Sequence, residues 1–140
     1  MSDVTYRRTV VDDLTLLAAA EAGEVVTTGS WYYRLHRALH DRASSGALST
    51  MAAVLPPAAR DELFFLLDEL PSEIVVPGPR LLVPVMGALR LRRRVNHLTA
   101  EALAAAMVTD GAIRVTVEAP LLRDACDELG ITFDVVPPFA

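Results

Sequence analysis

The chain has 140 residues, 52% of them hydrophobic, with 18 acidic and 13 basic side chains and a net charge of −5. That length fits one domain, residues 1–140, with a core of its own and leaves no room for a second. The acidic balance argues against blanket nucleic-acid binding, and the single Cys126 excludes an internal disulfide.

No leader pattern and no apolar run of about 18 residues is present, which predicts a soluble, cytoplasmic protein without membrane association. Every basic residue is Arg, and Lys and Gln are absent, a composition that fits a GC-rich bacterial genome.

Thr9 to Val11 forms a short β-branched run, and Asp12 and Asp13 can cap the Ala-rich helix that stops at Gly23. Glu24 to Thr28 is β-branched again. Gly29 and Ser30 supply a turn and cap for a helix whose stripe is Trp31, Leu35, Ala38 and Leu39. Arg42 to Gly46 is loop-like. Pro56 and Pro57 open a helix through Leu63, Leu66 and Leu67 that Pro71 closes, ahead of a third strand from Ile74 to Val76. A helix is expected from Leu81 to about Val95 despite Pro84 and Gly87. Thr99 then caps a helix from Glu101 to Val108 that Gly111 ends. Ile113 to Val117 is the next strand, Pro120 starts a helix that Gly130 ends, and Thr132 to Val136 is the last strand. This alternation predicts a three-layer α/β domain with a parallel sheet of about five strands.

On that frame, Asp12 and Glu118 fall at the carboxyl ends of strands, the edge where open parallel sheets bind ligands. Glu101, at the start of a helix running back towards Ile113, comes to the same edge. Three converging carboxylates repel one another unless a proton, a cation or a hard divalent ion such as Mg²⁺ or Mn²⁺ intervenes, so Asp12, Glu101 and Glu118 form a candidate metal and catalytic set. The same three acids also suit helix caps and first turns.

These motifs, in this order, resemble the PIN-domain proteins, which include ribonuclease toxins of bacterial toxin–antitoxin pairs. Val10-Val11-Asp12 resembles the family's opening strand with its first metal-binding Asp. Glu101-Ala102-Leu103 resembles its Asp-Ala-Leu helix start, Gly111 to Glu118 its Gly-Ala strand ending in Thr-x-Asp, and Leu129-Gly130-Ile131 its closing Leu-Gly-Val. The resemblance implies a Rossmann-like sheet, one or two Mg²⁺ or Mn²⁺ ions, water-driven cleavage of RNA, an antitoxin-like protein partner and a homo-oligomer. Two departures stand out. Arg34 occupies the place of a family Glu, and Glu replaces Asp at positions 101 and 118, which moves each carboxylate outward by about 1.5 Å.

The sequence therefore predicts a PIN-like domain with a degenerate metal site that acts through partner or RNA binding. The alternative readings are an active metal-dependent ribonuclease and an unrelated α/β binding module. Arg34 is expected to replace the metal by pairing with Asp12 or Glu118. Arg90, Arg92, Arg93 and Arg94 are candidates for holding RNA phosphates, or form the solvated last turn of a helix. Trp31, Tyr32 and Tyr33 are candidates for base stacking, two of them serving the core. His36 and His40 share a helical turn without a third zinc ligand, Cys126 reads as a buried structural thiol, and Ser44 and Ser45 lack the context of a nucleophile.

Overall fold

A computed structural model describes residues 8–12, 25–40 (backbone alone at 38–40), 56–58, 61, 65 and 68–136. Within them four short strands, β1 (Thr9–Val11), β2 (Val25–Val26), β3 (Ala112–Val115) and β4 (Phe133–Val135), form one sheet in the order β2-β1-β3-β4. All three pairings are parallel, with Val10 opposite Val26 on one side and Ile113 on the other. The chain is thus α/β with a parallel sheet, as its alternation of elements predicts.

The third strand expected from Ile74 to Val76 is reduced to a single parallel bridge, Val26 to Val75, which leaves four strands rather than five among the described residues. Thr27 N–H donates to the Val75 carbonyl at 3.0 Å and Val75 N–H to the Val25 carbonyl at 2.9 Å, and the ladder goes no further. Pro71 and Pro77 flank this stretch. Proline has no N–H to offer a ladder, so the pairing that begins at Val75 cannot be prolonged through Pro77.

Four helices have defined bounds: α1 (Gly29–His40), α2 (Pro79–Arg92), α3 (His97–Thr109) and α4 (Pro120–Leu129). Pro57, Ala58, Asp61, Phe65 and Asp68 are also helical, in line with the helix expected after Pro56. The helix expected after Asp13 and the loop from Arg42 to Gly46 lie outside the described residues.

Local side chains fix the helix starts differently from the sequence expectation. Thr28, not Ser30, caps α1: its Oγ1 accepts from Trp31 N–H at 3.1 Å and its carbonyl from Tyr32 N–H. Asn96, not Thr99, caps α3, its side chain accepting from Thr99 N–H at 2.8 Å. Glu101 therefore sits in the second turn of α3 rather than at its beginning. α2 starts earlier than expected, with Pro79 in the first turn, and stops at Arg92 where Arg93 turns extended. Asp110 (φ 52°) and Gly130 (φ 73°) end α3 and α4 in the left-handed conformation.

The core lies on one face of the sheet. Val10, Val26, Ile113 and Val115 pack with Leu103 and the alanines of α3, Leu122, Ala125 and Cys126 of α4, Leu82 and Leu89 of α2, and Trp31. Ala102 to Ala106 are all buried, and the small side chains of Ala102, Ala104, Ala105 and Ala106 let α3 lie close between the sheet and its neighbouring helices. Val11, one residue on from Val10, points to the opposite face and is also fully buried, so the sheet is covered on both sides at β1. Among the described residues no helix is long and apolar enough to cross a membrane.

Candidate functional site

Because every pairing is parallel, Asp12, Thr27 and Thr116 all emerge at one edge, just past β1, β2 and β3. β1 stands between β2 and β3, so the chain leaves it in one direction and returns on its other side. A crevice opens at such a reversal in an open parallel sheet. Here the cavity has a volume of about 420 Å³, and Asp12, Trp31, Arg34, Asn96, Thr99 and Glu118 are among its walls. Val117, Leu121 and Leu122 make much of the remaining wall apolar.

Asp12 is buried at this edge. Its Oδ2 accepts from both Thr116 N–H (3.0 Å) and the Thr116 hydroxyl (3.1 Å). The pair crosses the two central strands, because the β1–β3 register sets Val11 beside Arg114 and carries Thr116 past the end of β3 to the Asp12 carboxylate. Thr116 was legible as a strand residue and as the Thr of the Thr-x-Asp-like strand end, without a role of its own. Its partnership follows from a register that one sequence does not reveal.

Glu101 is turned to α1. Its Oε1 accepts from Ser30 N–H at 3.1 Å, and Oε2 lies 4.0 Å from His97 Nε2. α1 has no acid in its own first turn. Thr28 and Glu101 together satisfy two of its unpaired N–H groups, and the carboxylate meets the positive end of the helix dipole. Such a contact stabilises a helix by about 1 kcal/mol. Glu101 does come to the predicted edge, where it ties α3 to α1.

Glu118 belongs to a third arrangement. Arg123 Nε lies 3.2 and 3.0 Å from its two oxygens, Arg123 Nη2 lies 2.8 Å from Oε1, and Ala119 N–H donates to Oε2 at 3.1 Å. The hydrogen bond from Arg123 holds the Glu118 carboxyl below its usual range, and the same contact raises the Arg123 guanidinium. Arg123 also lies over the Phe133 ring, 4.8 Å from its centroid, which places the cation between α4 and β4. The sequence pointed to Arg34 as the cation at Asp12 or at this acid. Arg34 lines the cavity, but the fork on Glu118 is that of Arg123. A Glu at a strand end with an Arg five residues on, across a Pro-started helix, is the signal that was available.

As placed, these carboxylates do not form a cation cage. Both oxygens of Glu118 face a guanidinium, Oε1 of Glu101 faces a backbone amide, and Oδ2 of Asp12 carries two donors. Among the described residues no group of three His, Cys, Asp or Glu side chains stands close enough to share a metal ion. No family model matches the chain, and no curated protein sequence matches it.

The remaining candidates are dispersed. Arg90 and Arg92 close α2, Arg93 pairs with Glu128 of α4, and Arg94 is exposed just before the Asn96 cap. His36 Nε2 meets Asp68 Oδ1 at 2.6 Å and the Tyr32 ring stands edge-on to it, while the His40 side chain, Asp13, Ser44 and Ser45 lie outside the described residues. Trp31 is buried, Tyr32 half-buried and Tyr33 exposed. Cys126 is fully buried, and burial pushes its thiol up to about 11, which suits a structural role.

Proposed function

We propose that the chain is a PIN-like, Rossmann-like domain with a degenerate metal site, acting by binding a partner protein or RNA rather than by cutting RNA. The observation that carries this reading is the Arg123 fork on Glu118. A guanidinium neutralises the carboxylate where a divalent ion would stand, but it offers no open coordination position and generates no hydroxide from bound water. The parallel order β2-β1-β3-β4, with Val75 beyond β2, supports the Rossmann-like layout. Arg34 on the cavity wall and the exposed Arg90, Arg92 and Arg94 supply cations for an anionic ligand.

A second reading, an active Mg²⁺- or Mn²⁺-dependent ribonuclease of a toxin–antitoxin pair, is favoured by one feature. Asp12 lies at the reversal point of the sheet and lines its cavity, where Asp12, Glu101 and Glu118 would have to close around the ion. Thermal melts of wild type and Asp12→Asn with and without millimolar Mn²⁺ separate the two, because a ligand of the folded state raises its apparent stability. The binding reading expects no metal-dependent rise in either protein. A rise in wild type that Asp12→Asn abolishes would replace it with the nuclease.

A further inference from the structure

α2 presents an apolar surface to solvent. From Leu81 to Leu89 no side chain is polar. Leu82 and Leu89 are buried, and Val85 and Met86 pack partly against the core. The others face outward: Leu81 is 55% exposed, Leu91 is 90% exposed, and Pro84, Gly87 and Ala88 are exposed between them. Leu81, Pro84, Ala88 and Leu91 recur at i, i+3, i+7 and i+10, which is one stripe along a helix. It runs for about 15 Å at the helical rise, with exposed Val83 on its flank. A contiguous exposed apolar face of this kind marks an interaction surface.

Its frame is cationic. Exposed Arg80 stands at the start of the stripe, exposed Arg90 and Arg92 at its end and exposed Arg94 just beyond, and α2 contains no acid. On a chain with a net charge of −5 this helix is a basic, apolar island. Gly87 and Ala88, at its middle, allow another backbone to come close.

We infer that this face of α2 docks an amphipathic helical segment of a partner protein, one whose apolar stripe is flanked by Asp and Glu. Apolar side chains of that segment cover Leu81, Pro84, Ala88 and Leu91, and its carboxylates meet the arginines at either end. A second copy of this chain fits less well. Packed antiparallel it would set Arg80 of each protomer beside Arg90 and Arg92 of the other, and packed parallel it would set like residues together. RNA fits less well too, because α2 has no aromatic ring on which a base can stack. The inference rests on the binding role only in giving the chain a protein partner, and it uses none of the acids tested with Mn²⁺, so either idea can fail alone.

The test is fluorescence anisotropy on the full chain with three labelled probes. One is a synthetic helical peptide with Leu at i, i+3, i+7 and i+10 flanked by Glu. The second is the same peptide with Lys for Glu, and the third is an oligouridylate. The acidic peptide is expected to bind about tenfold or more tighter than its Lys counterpart. Ala88→Arg, which adds bulk and one more positive charge to an already basic face, is expected to remove that binding by filling the stripe, at an unchanged Tm. Arg92→Ala, which leaves the stripe intact, is expected to weaken it and flatten its salt dependence. Equal affinity for the two peptides, no binding of either, or preference for the oligouridylate would overturn the inference. So would a wild-type dimer in sedimentation equilibrium that Ala88→Arg converts to monomer, since the face would then belong to a second copy.

Discussion

Glu118 turns both oxygens to Arg123, Glu101 turns one to the Ser30 amide, and Asp12 turns one to Thr116, so one edge of the sheet uses its acids in three separate ways. Which positions carry acid at that edge was legible, because Asp12 and Glu118 follow apolar strand runs. What neutralises them was not. A side chain's reach across a helix start leaves no periodic mark, and Arg34 was the more obvious cation by family resemblance. The Glu118–Arg123 pair carries a pH signature. Its folded-state carboxyl lies below the usual value, so its contribution is complete above that value and is lost as pH falls through the lowered one. The gap in Tm between wild type and Arg123→Ala is therefore expected to be constant from neutrality to about pH 5 and to narrow below about pH 4. The gap itself will be small, because both side chains are well exposed. A gap that stays constant at lower pH would show that Arg123 acts by packing on Phe133 rather than by charge.

At the scale of elements, the alternation of strands and helices was legible throughout the described residues, and Pro120 and Gly130 bracketed α4 correctly. The errors fell where a side chain competes for a backbone group. Asn96 rather than Thr99 takes the free N–H at the start of α3, and Pro77, with no N–H to donate, keeps the Val75 pairing to one bridge. Two glycines between helix and strand separate two physical demands. A Cβ at Gly130 meets nothing within 4 Å, so Gly130→Ala bears only the cost of a positive φ, about 1 kcal/mol. A Cβ at Gly111 would stand 2.7 Å from the Arg8 carbonyl oxygen, against backbone that cannot swing away. Gly111→Ala is expected to cost more, about 2–3 kcal/mol, by urea denaturation. The reverse ranking would mean that β1 and β3 can separate at their start without loss.

For the molecule as a whole, Cys126 reports on integrity. It is fully buried in the core between α3, α4 and the sheet, with a thiol raised to about 11. Alkylation by iodoacetamide near pH 8 is expected to be slow in native protein, to accelerate with denaturant along the unfolding transition, and to match the free cysteine rate only when unfolded. Fast labelling of native protein would show that α4 opens locally. Fold class, sheet direction and the burial of this thiol were all legible, because they follow from patterning summed over many residues. Strand order was not, because the pairing of β1 with β3 joins distant parts of the chain.

That pairing also sets a timetable. Asp12 and Thr116, which close the central ladder, are 104 residues apart, so β1 waits through that length of further chain before its second neighbour arrives. During synthesis β1 and β2 emerge long before β3, and β1 spends that interval as an open apolar edge. A ribosome that stalls short of Gly111 leaves a nascent chain prone to pair with its neighbours, so the hazard of this fold lies in its interrupted translation.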